Sequence, residues 1–532
     1  MSLIRVGSTL SGLFMAVALG ACSSLLGIDE YSVWSDAGDS GGLPVTQRCT
    51  TNRQCSERLA AQTGEDASGG GTPALCVPST GQCVGLLSED CHRVTGDYTD
   101  DRAIVIGSLF SLSGPQANTN LARQQSAALA IEEINAVGGI PVGATSADSR
   151  PLVLVSCDES VELLRAGRHL IEELHVPAIV GPNTSQDTLD LSNKLSIGAH
   201  TVVLSPTAVA SSIADLLDEG MTWQITPTDV QRAPLTIEQI NELEARMRLE
   251  RKRSTIKLGV VYRDDALGQG TRISLNTLMF NGKPLVDPVN LGNNVRIDPY
   301  DYHQPDQKAI VDAYLSFAPD IVVLGGTAEV ITHVMLPLEQ RWQGPKENRP
   351  QYLLIESAKV PELLDALVDN DDLRHRIRGT GVTPGMRSIP VNEAFTVSYA
   401  ARYPGEPTGI SGMGAAYDST YALAYAMASL RGAPVTGPNL AQGLRGLGRG
   451  GMPIEVQRTQ VLAAFRRLAA GEGISAIGTF STLQWTDNGS LLGGTLEMWC
   501  VSRPDGKPAF DRSGLTFDVA LGQSSGQYTQ CE

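Results

Sequence analysis

One pattern recurs along this chain and confines it to a single class of fold: short β-branched, apolar runs, each followed by a segment with helical spacing. The run Ala103-Ile104-Val105-Ile106-Gly107 is of the kind found in parallel strands buried on both faces. After the turn Ser113-Gly114-Pro115, Leu121, Ala128, Ile131 and Ile134 fall at helical spacing, so residues 121–136 are expected to form a helix that stops at Gly138-Gly139. The cycle continues with strands over 152–155, 178–181 and 201–204 and helices over 161–174 and 187–195. Such alternation requires a parallel sheet with right-handed crossovers. A second series begins after Pro227, with a helix from Pro234, strands over 257–262, 321–325 and 351–355, and helices over 271–280, 329–340 and 360–368. Helices over 391–403 and 415–430 are expected to return to the first sheet. Two sheets of this kind imply two lobes with a cleft between them.

Composition removes several alternatives. A formal charge of −17 repels polyanions, so no nucleic-acid partner is expected. The single basic run, Arg251-Lys252-Arg253, closes a helix predicted over 237–249, where cations complement the helix dipole. The amino-terminal stretch carries Arg5, then the apolar run from Leu13 to Leu19, too short to cross a bilayer but suited to a signal-peptide core. It ends in Leu19-Gly20-Ala21-Cys22, which resembles the bacterial lipobox, and Cys22 is then the lipid attachment site. Eight further cysteines, at Cys49, Cys55, Cys76, Cys83, Cys91, Cys157, Cys500 and Cys531, make an even number with no CxxC pair, which favours disulfides over metal. Spacing leaves their connectivity open, except that Cys500 and Cys531 flank the carboxyl-terminal segment and are expected to staple it.

The resulting division is a signal peptide over 1–21, a Ser/Gly/Asp-rich tether over 22–46 and a disulfide-rich segment over 47–95. Residues 101–228 with about 383–475 form lobe 1, and residues 229–382 with about 476–532 form lobe 2. No enzyme is expected. Gly522-Gln523-Ser524-Ser525-Gly526 satisfies GxSxG but has no room for the helix of a nucleophile elbow. Gly446-Leu447-Gly448-Arg449-Gly450-Gly451 satisfies GxGxxG but runs into Pro453 without opening a helix. The seven histidines are scattered, and no cofactor or metal is implied.

In open parallel sheets the carboxyl ends of the strands and the following helix starts make a concave rim with free backbone N–H groups aimed inward, suited to anionic or zwitterionic molecules. Hydroxyls recur at that place in the first lobe: Ser111 and Ser113 before Gly114, Thr184 and Ser185 after Pro182-Asn183, and Ser205 and Thr207 around Pro206. The segments 106–114, Ile134-Asn135-Ala136-Val137-Gly138-Gly139-Ile140, Ile179-Val180-Gly181-Pro182 and Leu204-Ser205-Pro206, with the order of strands from 103 to 430, resemble the leucine/isoleucine/valine-type periplasmic solute-binding proteins.

The resemblance implies a type I periplasmic-binding fold, α/β with two doubly wound parallel sheets and a hinge, here preceded by the small disulfide-rich segment. It further implies capture of a small polar ligand, an amino acid or similar molecule, for an ABC-type importer. Carried over by position, Ser185 meets the ligand carboxylate, Thr207-Ala208-Val209 grips the head group, Leu267 covers the ligand and Glu356 accepts its ammonium. Val209 stands where the family usually has a hydroxyl, and Leu267 where an aromatic is frequent. A lipid-anchored receptor that senses its ligand and acts on a signalling partner is the alternative. Ser23 after Cys22 lacks the aspartate that retains enterobacterial lipoproteins at the inner membrane, so an outer-membrane position facing the periplasm or exterior is expected.

Overall fold

The first sheet forms where the β-branched runs predicted it. In the computed structural model it comprises Cys91–Thr95 (β1), Ile104–Phe110 (β2), Leu152–Asp158 (β3), Ala178–Val180 (β4), Val202–Ser205 (β5) and Thr222–Gln224 (β6), in the order β6-β5-β4-β2-β3-β1. All pairings are parallel except β1 with β3. Every residue of β2 and β3 is buried, which explains why these strands read as unbroken apolar runs rather than alternating ones. The structure describes residues 48–63, 71–77, 80–114, 116–143 and 148–532. Cys22, its lipobox and the tether lie outside the described residues. The chain divides at Arg48, and the fold belongs to the second unit, Cys49–Glu532.

The second sheet comprises Leu258–Arg263 (β7), Val295–Tyr300 (β8), Ile321–Gly325 (β9), Gln351–Leu354 (β10), Ile377–Thr383 (β11), Thr495–Ser502 (β12), Ala509–Asp518 (β13) and Gln523–Ser525 (β14). Its order is β8-β7-β9-β10-β11-β12-β13-β14, parallel through β11 and antiparallel beyond. The helices that shape the cleft are Ala117–Ala136 (α1), Asp229–Arg251 (α2), Ala266–Ser274 (α3), Ile389–Arg402 (α4) and Met413–Ser429 (α5). The chain passes between lobes through residues 225–228, 384–388 and 492–494, and the Gln231 side chain donates to the Leu491 carbonyl (2.8 Å), tying the first crossover to the third.

Helix α5 is buried from Met413 to Ala428 and is the axis of the first lobe. A helix buried on all sides needs its few polar groups met inside the core, as Thr479 meets Asp418, and its alanines let α1 approach closely. Tyr417 and Tyr421 on α5 both donate to the Glu133 carboxylate of α1, at 2.5 and 2.7 Å, so this buried charge is satisfied within the core.

Several expected boundaries are corrected. Residues 91–95 are not part of a free-standing disulfide segment: β1 pairs with β3, and Cys91 is bonded to Cys157. The remaining amino-terminal cysteines close as Cys49–Cys76 and Cys55–Cys83 around a short helix and hairpin, and Cys500 is bonded to Cys531. Lobe 1 extends past 475, because Ala476, Ile477, Leu483, Trp485 and Leu491 pack in the same core cluster as α1 and α5.

Helix α2 starts at Asp229 rather than Pro234. Thr228 and Gln231 form a reciprocal capping box, and Pro234 sits inside the helix. Helix α3 starts at Ala266, so the expected helix over 271–280 begins five residues early and ends at Ser274. Leu267-Gly268-Gln269-Gly270 is therefore helical. Its glycines are there for proximity: a Cβ at Gly268 would lie 1.9 Å from the Arg263 carbonyl oxygen, and one at Gly270 would lie 1.7 Å from Asp229 Oδ2. The GxSxG segment overlaps the exposed edge strand β14, and the GxGxxG segment links a helix ending at Gly446 to a strand starting at Met452.

Candidate functional site

In each sheet the chain reverses its direction of winding between two neighbours, β2 and β4 in the first and β7 and β9 in the second. There the crossovers leave on opposite faces, and the carboxyl ends of the strands open a crevice. The loops after these strands line one cleft of about 1100 Å³ between the lobes.

Ser113, Thr184, Ser185, Thr207, Val209, Leu267 and Glu356 all reach its walls. Gly114 and Ala208 do not. Gly114 lies in an exposed turn, and Ala208 is buried beneath the loop, its carbonyl accepting from Gln224.

The hydroxyls do different work. Thr184 caps the helix that begins at Ser185, accepting from the Asp187 backbone N–H (3.1 Å) and donating to the Asp187 carboxylate (2.6 Å). Thr207 is committed to Asn183, donating to its side-chain oxygen (2.9 Å). Ser185 is 3% exposed, and its oxygen accepts from the backbone N–H groups of Val209 and Ala210, both at 3.1 Å. Those two bonds polarise the Ser185 hydroxyl, leaving its hydrogen for an acceptor in the cleft. Ser113, at the mouth, shares a hydrogen bond of 2.6 Å with Ser160.

Glu356, just after β10, is bound on both oxygens. Arg232 of α2 donates to Oε2, and the Ser411 hydroxyl donates to Oε1 at 2.9 Å. Burial works against its charge, but the Arg232 guanidinium and these hydrogen bonds outweigh it, holding the carboxyl below its ordinary value. Arg232 also donates to the Pro227 carbonyl and to Thr226 Oγ1, both at 2.8 Å, so it fastens the first crossover to the second lobe. Ser411 lies in the loop between α4 and α5 of the first lobe, so the Ser411–Glu356 bond closes one lobe on the other.

The residues that sequence reasoning did not single out lie on α1 and in this loop. Arg123 donates through Nε to the Ser411 carbonyl (2.8 Å), and through Nη1 to Asn120 Oδ1 (2.8 Å) and Asn183 Oδ1 (2.7 Å). Burial pulls its guanidinium down to about 10 despite the fields of Glu356 and Glu159. The guanidinium packs so closely on Gly412 that a Cβ there would lie 2.7 Å from Nε, at a φ of +88° that glycine adopts without strain. Glu159, 5% exposed, accepts from Ser111 Oγ (3.1 Å) and the Asn183 N–H (3.2 Å), while burial and the nearby Asp187 charge push its carboxyl up to about 8. A sequence signal for Arg123 did exist: a lone arginine in a helix, with Thr119, Asn120, Ser126 and Ala127 rather than acids three or four residues away.

Two lobes of parallel-dominated sheet, crossed by three chain segments and closing on a polar cleft, define a two-lobed solute-binding architecture. The chain belongs to the periplasmic binding protein family, of the leucine/isoleucine/valine-binding type, whose family model matches residues 103–469. Solved structures share the fold at low identity. The substrate-binding protein of the branched-chain amino acid transporter from Streptococcus pneumoniae, in complex with isoleucine, is 18% identical with a TM-score of 0.52, over 77% of this chain and 99% of that one. A leucine-binding protein from Thermotoga maritima is 15% identical with a TM-score of 0.55, over 77% and 97%. An ABC transporter solute-binding protein from R. palustris, in complex with benzoate, is 13% identical with a TM-score of 0.52, over 81% and 99%. No curated protein matches the sequence. Family and neighbours are substrate-binding proteins and not enzymes, and the family's place is outside the cytoplasm. No helix among the described residues is long and apolar enough to cross a membrane.

Proposed function

We propose that this chain is a lipoprotein, attached through Cys22, that captures a small carboxylate-bearing solute, an amino acid or a related molecule, and delivers it to an ABC-type importer. The observation that carries the reading is the convergence on one cleft of the Ser185 hydroxyl, the buried Arg123 and the second-lobe residues Leu267 and Glu356. Isoleucine and benzoate, the ligands named for two of the neighbours, are both carboxylates and suit a site of this chemistry. The Ser411–Glu356 contact links capture to lobe closure, because it joins the loop before α5 to the second lobe, where Arg232 holds the same carboxylate in place. Attachment to an envelope membrane facing the periplasm, with a permease as partner, completes the proposal.

Thermal-shift screening of the protein against amino acids, simple carboxylates, small amides and short peptides tests it. A ligand that binds only the native state at a hundred times its dissociation constant adds about 2.7 kcal/mol and raises the melting temperature. Silence across that panel refutes the reading.

A further inference from the structure

We infer that Arg123 and Asn120 form a carboxylate seat in the cleft, and that the solute it takes is a small organic acid with no ammonium group. This deepens the solute-capture reading above and rests on it.

The cleft wall carries five cations, and four are already paired with acids. Arg232 meets Glu356, Arg263 meets Asp265 (2.6 Å) and Glu329 (3.6 Å), and Lys359 (3.2 Å) and Arg512 (3.4 Å) share Glu497. Arg123 differs. Its three hydrogen bonds, from Nε and Nη1, go to neutral oxygens, and among the described residues no carboxylate lies within ion-pairing distance and no acceptor bonds Nη2. Glu159 does not pair with it: its carboxyl is engaged by Ser111 and the Asn183 N–H, and burial pushes it up to about 8.

Asn120, one turn earlier on α1, supplies the second observation. It is 1% exposed and lines the cleft, and its Nδ2 has no hydrogen-bond partner. The bond from Arg123 Nη1 to Asn120 Oδ1 fixes which end of the amide is which, so the unpartnered atom is a donor. A buried amide donor without an acceptor is costly unless something accepts from it. A carboxylate is an acceptor on both oxygens, and it answers the free Arg123 Nη2 and Asn120 Nδ2 together.

The acids of the cleft offer no matching seat for an ammonium. Both oxygens of Glu356 are engaged, and an incoming ammonium would have to displace Arg232, whose side chain is 9% exposed. Asp229, the first residue of α2, accepts from the Ser211 and Val230 N–H groups, and Glu497 is shared by two cations, Lys359 at Oε1 and Arg512 at Oε2. Asp511 is exposed at the edge, on β13.

Calorimetric titration of the full chain with matched probes tests the inference: 4-methylpentanoate against leucine, and 3-phenylpropanoate against phenylalanine. The deamino acids are expected to bind at least tenfold more tightly than their amino acids. Asn120→Asp should abolish carboxylate binding by a hundredfold or more while melting no lower than the parent, since the new carboxylate neutralises Arg123 internally; Arg123→Lys, which keeps the charge and loses the fork, should weaken binding about tenfold. Tighter binding of the amino acids, or unchanged carboxylate affinity in a folded Asn120→Asp, overturns the inference and leaves the solute-capture reading standing. Failure of both series, together with a silent thermal-shift panel, removes that reading and the inference with it.

Discussion

Glu159 makes the stability of this protein depend on pH in a direction opposite to that of most carboxylates. It is 5% exposed, Oε2 has no partner, and its carboxyl is pushed up to about 8 by burial and by the Asp187 charge. A carboxyl whose folded value is raised binds its proton more tightly in the native state than in the unfolded chain. Its stabilising effect is therefore complete below the unfolded value near 4.5 and is lost as pH climbs toward the folded value. Glu159→Gln is nearly isosteric, keeps an oxygen for Ser111 and the Asn183 N–H, and cannot ionise. At 1.36 kcal/mol per unit, the variant should gain on the parent by about 3 kcal/mol at pH 7 and about 5 kcal/mol above pH 8, with no pH-dependent gap below pH 4.5. The assay is denaturant unfolding of both proteins from pH 4 to 8.5. Other titrating groups, such as the buried Asp418 raised to about 7, are common to both and cancel in the difference. Parallel curves across that range would show that Glu159 is ionised in the folded protein and would refute the reasoning.

Two further outcomes test the scaffold. Removing the bond between Cys91 and Cys157, 66 residues apart and both buried, by double alanine substitution should cost about 4 kcal/mol from the entropy returned to the unfolded chain, read as a lower denaturant midpoint; an unmoved midpoint would show that β1 is held by its ladder alone. Tyr421→Phe leaves the Glu133 carboxylate with the Tyr417 hydroxyl but without that of Tyr421 and should cost about 1–3 kcal/mol in the same assay, whereas a change below about 0.5 kcal/mol would remove this pair from the core's hydrogen-bond account.

The sheets were legible in the sequence because strands buried on both faces carry runs of apolar residues, as β2, β3, β7 and β9 do. Strands whose burial is met by other means were not read. Ile377–Thr383 (β11) carries Arg378, Gly379, Thr380 and Gly381, and Gly379 and Gly381 are there because the Trp499 ring packs on them. Val295–Tyr300 (β8) is an edge strand with a proline, and neither feature signals a strand from sequence alone. The start of α2 was missed because Pro234 dominated the reading, although Thr228 and Gln231 carried the capping signal. At the site, rim hydroxyls could be placed because loops after parallel strands are short and their position follows from topology. Arg123 and Ser411 lie 288 residues apart, and their meeting depends on how α1 and the loop before α5 pack, which no local pattern encodes.

The crosslink from Cys91 to Cys157 also fixes which part of the molecule carries load. The hairpin module from Cys49 onward is clamped to the first lobe, since the Asn52 side chain donates to the Tyr98 (3.0 Å) and Asp100 (3.2 Å) carbonyls and β1 is covalently riveted to β3. A pull applied at Cys49 is thus delivered to the rim of the first sheet, away from the cavity. The second lobe is joined to the first by three segments of chain, none of which belongs to the crosslinked edge.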